Sequence, residues 1–135
     1  MYLVDTNVWL ERLLKQERSE EVNTFFQKVS SDRLFITDFS FHSIGIILSN
    51  LSKRELLTRF VTDIFKYGSV GYITLPPIAS ELIVKQIEQF NLDFDDAYQY
   101  TAAEKYNLEI VSFDSDFDRT KRGRKTPIQI IDFVL

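Results

Sequence analysis

Short apolar runs alternate along this chain with longer stretches whose apolar residues recur at helical spacing. The short runs predict buried strands, and the longer stretches predict helices with one apolar face. This alternation is typical of a parallel sheet with helices on both faces, so we expect an α/β fold in three layers. Five strands are predicted, at residues 2–4, 34–37, 71–75, 109–113 and 128–131.

Turn-forming and helix-capping residues mark the ends of the predicted helices. Gly68 follows a helix predicted at 53–67, in the position of a C-cap glycine. Pro77 suits the first turn of the next helix, 77–90, and residues 114–125 are predicted as a loop with at most one helical turn. The other predicted helices span residues 8–14, 19–29, 38–50 and 95–106.

Length and composition exclude several classes of protein. A chain of 135 residues, 44% of them hydrophobic, is expected to fold as one domain, 1–135, with an ordinary core. The absence of cysteine excludes a disulfide framework, a thiolate nucleophile and a thiolate metal site. Because no run of 18 apolar residues and no basic-then-apolar leader occurs, we expect no membrane contact, no export and a cytoplasmic location.

Acidic residues directly follow three of the predicted strands. Asp5 follows the first strand, Asp38 the second, and Asp114 and Asp116 the fourth. Parallel strands place their carboxyl ends at one edge of the sheet, which is where α/β proteins bind ligands. The alternative for Asp5 is a structural one, because Asp5 or Thr6 can cap the following helix.

A further pair of acids, Asp95 and Asp96, lies in the first turn of a predicted helix. Each acid alone is explained as a helix cap or as a solvated loop residue. Together at one edge they would repel one another unless protonated or bound to cations. Ligands that are all oxygen favour Mg²⁺ or Mn²⁺, and such a site suits hydrolysis of a phosphate ester.

The basic residues are distributed unevenly along the chain. The net charge is −4, from 20 acids and 16 bases, which does not indicate a nucleic-acid binder by bulk charge. Five of the 16 bases nevertheless lie in a short loop just after the fourth strand. This loop could be solvated, or it could hold the phosphate backbone of a substrate. The five bases are Arg119, Lys121, Arg122, Arg124 and Lys125.

Three sequence blocks resemble those of PIN-domain nucleases, the family that includes the VapC-type toxins of bacteria and archaea. The blocks are Val-Asp-Thr-Asn at 4–7, Leu-Asp-Phe-Asp-Asp-Ala at 92–97 and Val-Ser-Phe-Asp-Ser-Asp-Phe at 111–117. Their order and spacing also resemble the family across nearly the whole chain. The resemblance implies a five-stranded parallel sheet in the order 3-2-1-4-5 and metal-dependent cleavage of RNA.

The resemblance also implies roles for individual residues. Asp5, Asp96 and Asp114 match the catalytic, metal-binding acids of the family, and Asp116 matches an accessory acid. Supporting polar positions are matched by Thr6, Asn7 and Ser112.

One position departs from the family pattern. The family usually has a Glu early in the helix after the second strand, where this chain has Ser43. Asp38 and His42 are the two candidates that could compensate for the missing charge. The alternative is a PIN-like domain that cuts RNA weakly or not at all and binds RNA or a protein. By resemblance, an antitoxin protein and a second copy of the chain are the expected partners.

Overall fold

Between residues 1 and 134, the part of the chain that the computed structural model describes, four parallel strands form one sheet. The order across the sheet is β3-β2-β1-β4, so the first strand lies in the interior. The strands are β1 (Tyr2–Val4), β2 (Leu34–Thr37), β3 (Gly71–Ile73) and β4 (Glu109–Val111). All pairings are parallel, which brings the carboxyl ends of the strands to one edge.

Helices connect successive strands and also close the described part of the chain. A π-helical segment, Thr62–Tyr67, continues the α-helix that ends at Val61, and 3₁₀ turns occupy Ser31–Arg33, Pro77–Ala79 and Ser115–Arg119. None of the helices within residues 1–134 is long and apolar enough to cross a bilayer. The α-helices are α1 (Thr6–Leu13), α2 (Ser19–Lys28), α3 (Asp38–Asn50), α4 (Arg54–Val61), α5 (Ser80–Phe90), α6 (Phe94–Tyr106) and α7 (Pro127–Val134).

The two faces of the sheet have separate apolar cores. Tyr2 and Val4 point to one face, where they pack with buried residues of α1 to α4 and α7. Leu3 points to the other face and packs with residues of α5 and α6. This alternation along β1 is the period of two expected of a strand that is covered on both sides. The predicted three-layer α/β architecture is therefore confirmed.

The fifth predicted strand is wrong, because residues 128–131 belong to α7. Pro127 is the first residue of that helix, where its missing N–H costs nothing. Glu21 Oε2 accepts a hydrogen bond from the Ile128 backbone N–H at 3.1 Å and so caps the first turn. Ile130 and Ile131 are buried in the same core as α2. The burial of Ile130 and Ile131 in this core outweighs the preference of β-branched residues for strands.

A single residue takes the place of the fifth strand. Lys125 forms an isolated parallel bridge with Val111 at the edge of β4. Its N–H donates to the Ile110 carbonyl at 2.8 Å, and its carbonyl accepts from the Ser112 N–H at 3.0 Å. The predicted order 3-2-1-4-5 is thus realised as four strands and one bridge.

Candidate metal centre

Asp5 lies at the carboxyl end of β1, where it is also the N-cap of α1. Its Oδ1 accepts hydrogen bonds from the Thr6 N–H at 2.8 Å and from Gln99 Nε2 at 3.1 Å. Its Oδ2 accepts from Ser112 Oγ at 2.7 Å. Burial raises the pKa of the Asp5 carboxyl, the three hydrogen bonds lower it, and the charge of Asp114 raises it further.

Ser112 joins Asp5 to the turn that follows β4. Besides donating to Asp5, its Oγ accepts from the Asp114 N–H at 2.9 Å and from Asn7 Nδ2 at 3.3 Å. Asn7 Oδ1 accepts from the Phe113 N–H at 3.2 Å. These bonds hold the turn beside the carboxyl end of β1, so two acids more than 100 residues apart in sequence become neighbours.

Three acids come together at this edge of the sheet. Carboxylate oxygens of Asp96, Asp114 and Asp116 all lie within 4.8 Å of one another, and we call these three residues the acid cluster. Asp96 lies in the first turn of α6, and Asp114 caps the 3₁₀ turn, its Oδ1 accepting from the Asp116 N–H at 2.9 Å. Asp5 adjoins the acid cluster without belonging to it, and its charge still acts on Asp96.

The acid cluster is electrostatically strained. Burial, followed by the charges of Asp114, Asp95 and Asp5, raises the pKa of the Asp96 carboxyl to about 8. Asp96 is only 7% exposed, so water screens these charges poorly. A divalent cation would relieve the repulsion, and a set of carboxylate oxygens is the donor set that Mg²⁺ and Mn²⁺ prefer. The residues present therefore fit such an ion.

In a second acidic group, carboxylate oxygens also lie within 4.8 Å of one another. This group consists of Asp93, Asp95 and Asp96. Asp93 and Asp95 are exposed to solvent, and Asp93 is the N-cap residue of α6. Exposed acids at a helix N-terminus are favoured by the helix dipole, so this group has a structural explanation.

A set of uncharged groups contacts the other side of Asp5. The sequence did not predict this set. Gln99 Nε2 donates to Ser40 Oγ at 2.7 Å as well as to Asp5, and Gln99 Oε1 accepts from Thr37 Oγ1 at 2.6 Å. Thr6 Oγ1 donates to Ser40 Oγ at 2.8 Å. We call Thr6, Thr37, Ser40 and Gln99 the amide–hydroxyl network. Gln99 follows Asp96 by three residues and so shares its helix face, which is the signal that could have revealed it.

Asp38, Ser43 and His42 are not brought into the acid cluster. Asp38 Oδ1 instead accepts from Tyr98 Oη at 2.7 Å and from the Phe39 N–H at 2.8 Å. Burial first, and then this bond to Asp38, raise the pKa of Tyr98 to about 12. His42 is exposed and Ser43 is partly buried, and both lie further along α3. Compensation for the missing Glu by Asp38 or His42 therefore has no geometric support among the described residues.

The arginines of the basic loop bond to other parts of the protein. Arg119 donates to the Phe90 carbonyl at 3.1 Å, to the Asn91 carbonyl at 2.6 Å and to Asp116 Oδ1 at 3.0 Å. It thereby ties the end of α5 to the acid cluster. These bonds favour a structural role for Arg119, in which it stabilises the contact between these two parts of the chain.

The other two arginines are held in a similar way. Arg124 pairs with Asp118 at 3.1 Å and also donates to the Ser112 carbonyl at 3.1 Å. Arg122 donates to Asn107 Oδ1 at 2.8 Å, which places it near the amino end of β4 rather than beside Asp114. Contact between this loop, including Lys125, and a phosphate backbone stays a prediction.

The family follows from a comparison with known protein families. The model of the PIN domain matches residues 2–123, which is nearly the whole chain. The chain therefore belongs to the PIN domain family.

Solved structures with the same fold have little sequence in common with this chain. A toxin–antitoxin complex from Klebsiella pneumoniae matches with a TM-score of 0.75 at 18% identity, over 94% of this chain and 98% of the other. FitAcB from Neisseria gonorrhoeae matches with a TM-score of 0.75 at 19% identity, over 94% and 98%. VapC20 from Mycobacterium tuberculosis, a sarcin–ricin loop cleaving toxin, matches with a TM-score of 0.75 at 13% identity, over 87% and 93%. A comparison with curated protein sequences finds no match.

Proposed function

We propose that this PIN domain is an endoribonuclease that hydrolyses RNA phosphodiester bonds with the help of Mg²⁺ or Mn²⁺. The observation that carries the proposal is the acid cluster, three carboxylates within 4.8 Å of one another, with Asp5 buried beside it. Like charges at this separation destabilise the fold, so they are best explained by a bound cation. Asp5, Asp96 and Asp114 would be the catalytic ligands, and Asp116 an additional one.

When bound, the cation would supply Lewis acidity and a water molecule with a lowered pKa. The chain's own residues prepare the site for that chemistry. Ser112 fixes Asp5 Oδ2 and the backbone of Asp114 relative to one another. Asn7 holds the turn after β4 through Ser112 and Phe113. Asp96, whose pKa is raised to about 8, would hold the cation in its ionised form, so cation binding would be linked to the loss of one proton.

The cellular role that we propose is the toxin of a toxin–antitoxin pair. Support comes from the matched structures, one of which is a toxin–antitoxin complex and another a toxin that cleaves the sarcin–ricin loop. The partners would then be RNA as substrate, an antitoxin protein, and a second copy of the chain. The cytoplasm is the location in which such a toxin would meet RNA.

One observation favours a second candidate, a PIN domain that binds RNA or a protein and cuts it poorly. Helix α3 presents the uncharged Ser40 to the site, and Ser43 supplies no negative charge either. Fewer anionic ligands lower the affinity for a divalent cation.

Cleavage of a short 5′-labelled single-stranded RNA separates the two candidates. We expect the purified protein to cut it with Mn²⁺ and to stop when EDTA is added. The matched control is Asp114→Asn, expressed and purified in the same way, which should be inactive. Equal cleavage by both proteins would reveal a contaminant and contradict the proposal. RNA binding by the unaltered protein without cleavage would support the second candidate.

A further inference from the structure

We propose that Gln99 is a positioning residue of the metal site, which fixes the Asp5 carboxylate through a neutral donor so that it can receive a cation. The inference rests on the proposed metal site, because it concerns how one of its acids is held. Gln99 lies in α6 and is 2% exposed, although glutamine is mostly an exposed residue. Its burial therefore needs a reason beyond packing.

The hydrogen bonds fix the orientation of the Gln99 side chain. The ionised carboxylate of Asp5 can only accept, so the group 3.1 Å from its Oδ1 must be the amide nitrogen of Gln99. The same nitrogen donates its second hydrogen to Ser40 Oγ at 2.7 Å. The amide oxygen accepts from Thr37 Oγ1 at 2.6 Å. Both amide hydrogens and one oxygen lone pair are thus in use, and the side chain has one defined conformation.

The same bonds determine what remains available on Asp5. A carboxylate has about four acceptor positions, two on each oxygen. On Oδ1 both are taken, by the Thr6 N–H and by Gln99. On Oδ2 one is taken, by Ser112 Oγ. The remaining position is on Oδ2, whose partner Ser112 also contacts the backbone of Asp114. Gln99 therefore directs cation binding to one oxygen of Asp5, the one that Ser112 links to the backbone of Asp114.

The chemical nature of residue 99 matters as much as its position. A carboxylate there would lack the two donated hydrogens and would repel Asp5, and an apolar residue would leave Asp5 Oδ1 and Thr37 Oγ1 each short of a partner. Second-sphere partners of this kind typically change metal affinity by about 10- to 100-fold. Gln99 would be a second-sphere partner of this kind, because it contacts the proposed ligand Asp5.

The test is Mn²⁺ binding to the purified metal-free protein, measured by titration calorimetry, for Gln99→Met and for a matched control. Gln86 is a second buried glutamine, on α5 and outside the site, and Gln86→Met changes the same chemical group. We expect Gln99→Met to weaken Mn²⁺ binding at least about tenfold and Gln86→Met to change it less than about twofold. Equal affinities in the two variants, both folded by circular dichroism, would overturn the proposal.

A second variant, Gln99→Glu, keeps the size of the side chain and separates positioning from charge. If total negative charge alone set the affinity, this variant would bind Mn²⁺ more tightly than the unaltered protein. Positioning by donation requires weaker binding, again by about tenfold, because the glutamate cannot donate to Asp5. Tighter binding overturns the proposal, and this variant decides the matter if Gln99→Met does not fold. Because the readout is Mn²⁺ binding, failure of RNA cleavage would contradict the proposed function without touching this result.

Discussion

Two polar regions meet at Asp5, and they are built from opposite kinds of group. In the amide–hydroxyl network every partner is uncharged, and the side chains of Thr37, Ser40 and Gln99 are almost completely buried. In the acid cluster every member is a carboxylate. No buried side-chain nitrogen or oxygen in the described residues lacks a hydrogen-bond partner, so the network is complete as it stands.

The difference shows which region stabilises the fold and which requires a ligand. A satisfied network of neutral groups stabilises the folded chain without any ion. Carboxylates that lie close together do the reverse, because the folded state must hold charges that the unfolded state separates. We therefore expect changes in the acid cluster to affect cation binding and cleavage, and changes in the network to affect stability as well.

The largest effect is expected for Asp114→Asn. Loss of this charge should reduce RNA cleavage at least about 1,000-fold, which corresponds to about 4 kcal/mol of transition-state stabilisation. The stability of the metal-free protein should not fall, because a repulsive charge has been removed. Single-turnover cleavage and urea unfolding measure the two quantities. Asp32→Asn, an exposed acid outside the site, is the control. A variant with more than a tenth of normal activity would contradict this assignment.

A strong pH dependence of Mn²⁺ binding is expected next, because the pKa of Asp96 is raised to about 8. Below that pH a cation must displace one proton, so affinity should rise about tenfold per pH unit between about pH 6 and 8 and then level off. Asp96→Asn should remove this slope. Calorimetric titrations at several pH values test it, and a flat profile for the unaltered protein would be inconsistent with a protonated Asp96.

The same shift predicts how pH affects the stability of the metal-free protein. The pKa of Asp96 is higher in the folded chain, about 8, than the ordinary value of 3.8, so the folded state binds one more proton between these limits. Stability from this group is fully present below about pH 4 and is lost as the pH rises toward 8. In Asp96→Asn the free energy of unfolding should fall less over this pH range, by about 1–3 kcal/mol. Urea unfolding from pH 5 to 8 would show it.

A moderate loss of stability is expected for Thr37→Val. Thr37 Oγ1 donates to Gln99 and also accepts from the Ser40 N–H at 3.1 Å, as the N-cap of α3. Its removal leaves buried partners unpaired and should cost about 1–3 kcal/mol. Thr24→Val removes a solvent-exposed hydrogen bond from a partly buried threonine on α2 and should cost less than about 0.5 kcal/mol. Similar losses in the two variants would mean that the network does not stabilise the fold.

A smaller effect is expected for Ser43→Glu. This variant restores the negative charge of the Glu that the family usually has at this position. Mn²⁺ affinity should increase about three- to tenfold through the additional anionic group. The control is Ser49→Glu, which puts the same charge on an exposed position of the same helix. If both variants bind equally, Ser43 does not occupy the position inferred for it.

The smallest effect is expected in the basic loop. In an inactive Asp114→Asn background, Arg122→Ala with Lys125→Ala should make the salt dependence of RNA binding shallower by about 0.7 per lost phosphate contact. The loss should not depend on RNA sequence, because phosphate contacts do not read bases. Lys28→Ala on α2 is the control. An unchanged salt dependence would mean that the loop is solvated and does not contact the RNA backbone.

Local patterns were sufficient to predict most of the fold. The apolar runs of β1 to β4 and the helical spacing between them required no knowledge of distant residues. The prediction of a strand at 128–131 failed because Glu21, more than 100 residues away, caps a helix there. Such a contact is not visible in a local pattern, and Ile130 and Ile131 suit a strand equally well by propensity.

The site was predicted less completely, and for a similar reason. Acids at the ends of strands and in the first turn of a helix stand out in a sequence, so the residues of the acid cluster could be named in advance. Gln99 was not named, because a polar residue within a helix is usually solvated, and its place three residues after Asp96 on the same helix face was the only sequence signal for it. The charge run at 119–125 suggested a free basic loop, yet its arginines bond to carbonyls and acids elsewhere in the chain.

The bridge between Lys125 and Val111 has a consequence for how copies of this protein can associate. An open strand edge offers unpaired N–H and C=O groups, which invite another chain to add a strand and can lead to aggregation. Here Lys125 takes the Ile110 carbonyl and the Ser112 N–H, and Arg124 takes the Ser112 carbonyl. The β4 side of the sheet is therefore closed to strand addition at these positions, which removes one route by which copies of the chain could aggregate.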